Sequence, residues 1–248
     1  MEPTSFRFNN GNTATGIYLE SPTDFQRGLE KLQVCRSRPV LVLVGGASKM
    51  EPAAFDRLKT LFDEVLAPTI DRLDAIVIDG GTDAGVMQLM GQARNRLSAN
   101  FPLIGVCAVG TVELPDGTPP ASDDAAPLEP NHSHFVLVPG SDWGAESPWM
   151  AQLASHIADD APTCTLVSNG GEITWQDVTY SVKEGRTTVV LAGSGRTADK
   201  LAAGLRGEPT EDRAEPLIRT GCLQVLDLDN EIEFLQTVLS DLLTRPAA

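Results

Sequence analysis

The chain repeats one hydrophobic pattern, in which a short apolar run is followed by glycines and then by a segment with helical spacing. The apolar runs are Pro39–Val44, Ala75–Asp79, Pro102–Val109, Thr163–Ser168 and Thr187–Ala192. Uninterrupted apolar runs of this length are typical of parallel strands that are buried on both faces. Because they alternate with helical segments, the pattern predicts an α/β fold: a doubly wound, mostly parallel Rossmann-like sheet with helices on both faces.

The two ends of the chain add further elements to this prediction. Ser5–Asn9 and Thr13–Leu19 flank the dipeptide Asn10-Gly11, which is a strong signal for a two-residue hairpin turn. A helix is expected next, over about Thr23–Val34, and a last helix over about Asn230–Leu243. The N-terminal region is therefore predicted to be a hairpin followed by a helix.

Two stretches interrupt the periodic pattern. Glu113–Pro130 is rich in Pro, Asp, Gly and Ala and shows no hydrophobic period, and Gly207–Pro216 has a similar composition over a shorter length. Loops as long as the first are usually functional or disordered.

Glycines follow several of the predicted strands. Gly45 and Gly46 come directly after the first apolar run, and Ser48-Lys49-Met50-Glu51 then predicts a helix that starts with a capping box. In open α/β sheets, ligands bind at the carboxyl ends of the strands. The glycines therefore indicate the edge of the sheet at which a ligand is expected.

The segment Gly80–Met87 is a candidate phosphate-binding turn between a strand and a helix. Its members Gly80, Gly81, Thr82, Gly85, Val86 and Met87 would bring backbone N–H groups and the start of a helix to the ligand. The spacing resembles a P-loop, but Val86 and Met87 stand where Lys and Ser or Thr are needed, which disfavours a Walker A nucleotidase. A plain turn capped by Thr82 or Asp83 is an equally open interpretation.

A second glycine turn, formed by Gly193, Ser194, Gly195 and Arg196, also follows a strand and opens a helix. It fits the dinucleotide-binding pattern, although such a fingerprint is normally found on the first strand of its fold. Arg196 adds a guanidinium that can hold a phosphate with two hydrogen bonds.

Histidine and aromatic residues precede and follow the strand Phe135–Val138. His132 and His134 are two positions apart and could ligate a metal from one face of a strand, but a hydrogen-bonding role is favoured, because no companion ligands stand at metal spacing. In the next loop, Trp143 beside Gly144 can stack on a base, and Glu146 can accept ribose hydroxyls. The alternative for Trp143 is a half-buried ring that covers the edge of the sheet.

Composition narrows the class of partner. The chain has 248 residues with 19 Lys and Arg against 34 Asp and Glu, which gives a formal net charge of −15. That charge disfavours nucleic-acid polymers and anionic membranes as partners, but a single nucleotide can still bind through backbone N–H groups. The four cysteines are isolated, and neither a signal peptide nor a bilayer-spanning apolar run is found. A cytoplasmic location is therefore expected.

Five motifs occur together in the order and spacing of a known family. They are GGTDAGVM, LEPNHSHFVLV, WGAESP, SNGG and GSGRTADKLA, and they span about Pro39 to Leu205. This set resembles the SLOG domain of TRPM ion channels, in its prokaryotic branch. The resemblance implies a pocket for nucleotides such as ADP-ribose or cyclic ADP-ribose, with phosphates at the two glycine turns and Trp143 near the base. Met150 stands where the channel domain has an arginine.

The wider superfamily also contains enzymes, the LOG-type phosphoribohydrolases, which release a base from a nucleotide. Their catalytic glutamate would fall on Lys200 here, and Asp199 is one position early, so catalysis is disfavoured. One domain is expected over residues 1–248, with a hairpin and helix (1–36), a nucleotide-binding core (37–206) and a C-terminal strand and helix (207–248). The expected partners are a nucleotide-derived ligand and a fused or neighbouring effector, and a homo-oligomer is left open. No cofactor, metal or membrane insertion is expected.

Overall fold

A computed structural model of the chain describes residues 2–46 and 52–244. The capping box that the sequence predicts at residues 48–51 lies outside these ranges. The strands are β1 (Thr4–Arg7), β2 (Thr13–Tyr18), β3 (Val40–Gly45), β4 (Ile76–Asp79), β5 (Leu103–Ala108), β6 (Val112–Glu113), β7 (Ala126–Pro127), β8 (His134–Val138), β9 (Thr163–Ser168), β10 (Thr187–Ala192) and β11 (Leu223–Asp227).

The α-helices of the described part are α1 (Phe25–Leu32), α2 (Pro52–Leu61), α3 (Ala67–Arg72), α4 (Gly85–Leu97), α5 (Ser147–Ala158), α6 (Glu172–Lys183), α7 (Arg196–Leu205), α8 (Ala214–Ile218) and α9 (Ile232–Thr244). A π-helical segment, Phe62–Leu66, joins α2 to α3. Within the described ranges, no helix is both long enough and apolar enough to cross a bilayer.

One sheet runs through the fold, in the order β1-β2-β8-β5-β4-β3-β9-β10-β11. Every pair in it is parallel except β1 with β2, which forms the N-terminal hairpin. The predicted α/β fold with a mostly parallel sheet and an N-terminal hairpin is therefore confirmed.

The hairpin turn is longer than the predicted two residues. The strands are paired as far as Arg7 and Thr13, and the N–H of Gly11 donates to the carbonyl of Phe8 while the N–H of Phe8 donates to Asn12. A turn over Phe8–Gly11 thus closes the hairpin, with glycine at its last position. This is the longer turn type that is common when a glycine follows a type I turn.

The core lies on both faces of the sheet, because successive side chains of a strand alternate between them. In β3, Val42 and Val44 pack with α1, α5, α6, α7 and α8 on one face. Leu41 and Leu43 pack with α2, α3, α4 and α9 on the other. The two helical layers leave only the ends of the central strands accessible, and the carboxyl ends are where the glycine motifs lie.

Candidate functional site

A crevice is expected where neighbouring strands of an open sheet connect in opposite directions. The chain leaves β3 toward β4, β5 and β8 on one side, whereas β9, β10 and β11 follow one another on the other side. The carboxyl ends of β3 and β9 therefore form the topological switch point. Gly45 is the last residue of β3 at this place and Gly46 follows it, and β9 is followed by Asn169, Gly170 and Gly171.

Gly45 permits a close contact between these two strands. A Cβ atom at this position would lie 1.9 Å from the carbonyl oxygen of Ser168, so no other residue fits this backbone. The N–H of Gly46 donates to the same carbonyl at 3.0 Å, and the carbonyl of Gly46 accepts from the N–H of Val86 at 2.9 Å. The end of β3 is thereby joined to β9 and to the first turn of α4.

The Gly80–Met87 turn is held against its surroundings by backbone contacts. Gly81 has a left-handed φ of +69°, and a Cβ there would lie 2.7 Å from Cys107 Sγ. Thr82 is buried and forms an isolated bridge with Leu128. The N-cap of α4 is Ala84, which provides no side-chain cap, so neither of the predicted capping residues fills that role.

The first turn of α4 lacks the Lys and the Ser or Thr side chains that contact phosphate in a P-loop. Gly85 is its first residue, and Val86 and Met87 are both buried in the core beneath α4. Among these residues, the start of α4 therefore offers backbone groups to a ligand rather than side chains.

The second glycine turn is locked to the end of β9. Asn169 donates from Nδ2 to the carbonyl of Ser194 at 2.7 Å and from its N–H to Ser194 Oγ at 2.8 Å. The N–H of Ala198 donates to the carbonyl of Asn169, and the N–H of Gly193 donates to Asp199. Among the described residues, Arg196 is the side chain of this turn that has no hydrogen bond or ion pair.

Arg196 lies over the switch point in an uncommon backbone conformation. It is exposed and has a left-handed φ of +53°, which costs a non-glycine residue about 1–2 kcal/mol. A Cβ on Gly171 would lie 3.1 Å from its Nη2 atom, so the guanidinium rests on that glycine. Within the described residues it makes no hydrogen bond or ion pair, whereas nearby Arg213 pairs with Glu172 and Lys200 pairs with Glu211.

Trp143 lies in the loop that follows β8. The half-buried indole donates from Nε1 to Asp124 Oδ2 at 2.9 Å, which ties it to the Pro-rich segment between β6 and β7. Gly144 packs against α6, where a Cβ would lie 2.7 Å from Gln176 Oε1. The long loop of the sequence prediction is therefore connected to the aromatic candidate.

Two buried carboxylates lie beside that loop. Glu146 is 8% exposed and accepts from the N–H of Gly144 at 3.0 Å, and burial raises its pKa. Asp177 accepts from Ser147 Oγ at 2.6 Å, and burial raises its pKa to about 7. Met150, one turn into α5, is buried in the core.

His132 and His134 have different surroundings. His132 precedes β8 and is fully buried between two carboxylates, with Nε2 2.8 Å from Asp79 Oδ1 and Nδ1 2.8 Å from Glu129 Oε2. Despite burial, these carboxylates raise its pKa to about 9. His134 begins β8 beside Ser133 Oγ, and burial lowers its pKa to about 4. Only His134 belongs to β8, so the two histidines do not share the strand face that the disfavoured metal alternative required.

Sequence reasoning missed Asn169 and the network of Asp79, His132 and Glu129. The SNGG motif was the available signal for Asn169, whereas no spacing pattern links Asp79 to His132. Across the described ranges, no group of three or more His, Cys, Asp or Glu side chains is arranged to hold a metal ion.

A protein-family model and similar curated proteins point to the same group of relatives. A family model described as "SLOG in TRPM, prokaryote" matches residues 38–236. One relative is transient receptor potential cation channel subfamily M member 2 of Mus musculus, which is 27% identical to this chain over 197 residues. The matched residues cover 66% of this chain and 13% of that protein. The Rattus norvegicus protein of the same name gives the same identity and coverage. Subfamily M member-like 2 of Nematostella vectensis is 28% identical over 200 residues, covering 64% and 12%. The chain thus matches a small part of the length of these relatives.

Proposed function

Because the chain belongs to the SLOG family of TRPM-type domains, in its prokaryotic branch, we propose that it is a sensor domain for a nucleotide-derived ligand such as ADP-ribose or cyclic ADP-ribose. The ligand binds in the crevice above the carboxyl ends of β3 and β9. Binding regulates a cytoplasmic effector or a membrane partner that is fused to the chain or acts beside it.

The observation that carries this proposal is the open guanidinium of Arg196 at the switch point. The protein has a net charge of −15, and its cations near the crevice are mostly neutralised by carboxylates. An exposed arginine that is held in a left-handed conformation and has no partner in the described part of the chain is suited to a phosphate.

The other candidate residues take roles that fit their positions. The Gly80–Met87 turn presents backbone groups at the start of α4 to a second phosphate oxygen. Trp143 stacks on the base, and Glu146 accepts a ribose hydroxyl. In LOG-type enzymes the catalytic glutamate lies in the region of Asp199 and Lys200. Here Asp199 accepts a hydrogen bond from the N–H of Gly193, and Lys200 forms an ion pair with Glu211. These contacts favour ligand binding over catalysis.

The test is a ligand panel measured with three proteins: wild type, Arg196→Ala and the control Arg27→Ala. Arg27 lies on α1, is exposed and has no partner among the described residues, so its removal changes the net charge equally. ADP-ribose, cyclic ADP-ribose and NAD are screened by thermal shift, and affinity is then measured by calorimetry. We expect Arg196→Ala to weaken binding by roughly 10- to 100-fold, the effect of losing a charged hydrogen bond, and Arg27→Ala to bind like wild type.

The outcomes separate the alternatives. Equal affinity in Arg196→Ala and wild type would contradict the assignment of Arg196. If no nucleotide raises the melting temperature of the wild type, the sensor proposal is wrong. Chromatography of the recovered ligand decides between sensing and hydrolysis, because release of free base would make the protein an N-glycosidase.

A further inference from the structure

Buried polar atoms without partners occur at the carboxyl edge of the sheet. In the described part of the chain there are four such side-chain atoms, on Asp79 (Oδ2), Ser168 (Oγ), His156 (Nε2) and Arg186 (Nη1). Asp79 is the last residue of β4 and Ser168 the last residue of β9, the two strands that flank β3. Two of the four orphaned atoms therefore lie on either side of the glycine end of β3.

The orientation of Asp79 follows from its bonded oxygen. Oδ1 accepts from the N–H of Gly81 and from His132 Nε2, both at 2.8 Å. Gly81 packs against Gly105 of β5, and the ring of His132 stacks on Phe135 of β8. Both donors thus lie on the β5 side of β4. The other oxygen, Oδ2, is buried and has no hydrogen-bond partner among the described residues.

The surrounding network keeps Asp79 in this orientation. His132 bridges it to Glu129, and Glu129 is in turn held by the N–H of Asn131 at 2.8 Å. Gly91 of α4 makes room for the Glu129 carboxylate, since a Cβ there would lie 2.0 Å from Oε2. A carboxylate held in this way, with one buried oxygen left without a donor, is unfavourable unless a further donor is supplied.

Ser168 shows the same feature on the other side of β3. It is fully buried, and its Oγ has no partner within residues 2–46 and 52–244, whereas the buried hydroxyl of Thr165 in the same strand is paired with Ser181 Oγ at 2.8 Å. In the register of the sheet, Ser168 lies opposite Gly45. Its side chain projects to the same face as Leu166, the face that α4 covers.

We infer that Asp79 Oδ2 accepts a hydrogen bond from a ribose hydroxyl of the ligand and that Ser168 Oγ is a second contact across Gly45. This inference rests on the proposed function and assigns the sugar end of the ligand to the floor of the crevice. A ribose suits the two atoms, because its hydroxyls can donate to a carboxylate and can also pair with a hydroxyl. Asp79 is thus a ligand-contacting residue, and His132 and Glu129 are positioning residues.

The test compares ligands that differ by one hydroxyl. ADP-ribose, its analogues that lack the 2″- or the 3″-hydroxyl of the terminal ribose, and ADP are titrated into wild type, Asp79→Asn, Ser168→Ala and the control Thr165→Val. We expect wild type to bind at least one analogue that lacks a hydroxyl about tenfold more weakly than ADP-ribose, since a charged hydrogen bond is lost. In Asp79→Asn that ratio falls to about threefold or less, because the bond is no longer charge-assisted.

Stability gives an independent readout. Ser168→Ala removes a hydroxyl without a partner, so its melting temperature is expected to equal or exceed that of wild type while its affinity for ADP-ribose falls. Thr165→Val breaks a paired hydroxyl, so it lowers the melting temperature and leaves the ratios between analogues unchanged. If Asp79→Asn fails to fold, the wild-type ratios and Ser168→Ala decide the question.

The experiment separates failure of this inference from failure of the proposed function. Equal ratios in Asp79→Asn and wild type, or no discrimination between the analogues by the wild type, overturn the inference and leave the proposed function intact. A lowered melting temperature in Ser168→Ala shows an internal partner and removes Ser168 from the site. If the wild type binds none of the nucleotides, the proposed function fails and the inference fails with it.

Discussion

The buried imidazole of His132 is expected to make the stability of the protein depend on pH. It lies between Asp79 and Glu129 with both ring nitrogens 2.8 Å from a carboxylate oxygen. Its pKa in the folded protein is about 9, against an ordinary value of 6.5. Because the folded pKa is the higher of the two, the stabilisation is fully present below about pH 6.5 and is lost as the pH rises through 9.

The size of the effect follows from the two pKa values of His132. At about 1.4 kcal/mol for each pH unit between them, the imidazolium contributes about 3 kcal/mol to the free energy of unfolding. This is a large part of the 5–15 kcal/mol that is typical of a globular protein. Removing His132 alone would leave two buried carboxylates without their cation, at an expected cost of about 3–5 kcal/mol.

The assay is equilibrium urea unfolding, followed by tryptophan fluorescence at several pH values between 6 and 10. The comparison protein is the double variant Glu129→Gln/His132→Gln, which removes one charge of each sign and leaves the formal charge of the network unchanged. Burial also raises the thiol pKa values of Cys107 and Cys164. Because these thiols ionise more readily in the unfolded chain, they lower the free energy of unfolding at high pH in both proteins. The difference between the two curves therefore reports the His132 ion pair.

We expect that difference to shrink by about 3 kcal/mol from pH 6 to pH 10. His134→Asn is the control within the same segment, because the pKa of His134 in the folded protein is about 4. Above about pH 8 the imidazole of His134 is neutral in both the folded and the unfolded chain, so in that range the variant should follow the wild-type slope. If the wild type and the double variant lose stability in parallel, His132 is not held as an imidazolium and the reasoning is wrong.

Two further substitutions test the packing around the site. Gly91→Ala places a Cβ 2.0 Å from Glu129 Oε2, which overpacks the site and displaces a buried charge. Denaturant titrations are expected to show a free energy of unfolding that is lower by about 2–4 kcal/mol. Gly80→Ala is the control, because its Cβ would meet no described atom within 4 Å, and equal stability of the two variants would refute the contact. Arg196→Gly relieves a left-handed φ of +53° but adds backbone entropy to the unfolded chain. The free energy of unfolding should therefore stay within about 1 kcal/mol of wild type, while calorimetry shows weaker ligand binding. A free energy of unfolding that is lower by several kcal/mol would show that Arg196 stabilises the fold instead.

The strands were largely predictable from the sequence. The predicted runs Thr163–Ser168 and Thr187–Ala192 coincide with β9 and β10, and Ala75–Asp79 begins one residue before β4. These runs are apolar throughout because both faces of a parallel sheet are buried, so their boundaries fall where the apolar run stops. The hairpin was recognisable for a similar local reason, although its turn is longer than predicted.

The Pro-rich segment was recognisable only as a break in the pattern. The structure pairs its ends as β6 and β7, and it connects Leu128 to Thr82 and Asp124 to Trp143. Such contacts depend on residues that are distant in the sequence, and a short irregular segment has no hydrophobic period from which they could be inferred.

The sequence by itself determined the fold class, the glycines at the ends of strands and the family, because each of these depends on local pattern and motif order. Only the tertiary structure decided which groups face one another. Asp79 and His132 are 53 residues apart and meet because β4 lies two strands from β8. The carbonyls of Asn169 and Gly170 accept from the N–H groups of Ala198 and Thr197 in the first turn of α7, and the guanidinium of Arg196 has no partner among the described residues. Strand order and burial set these distances and partners, and neither can be inferred from spacing along the chain.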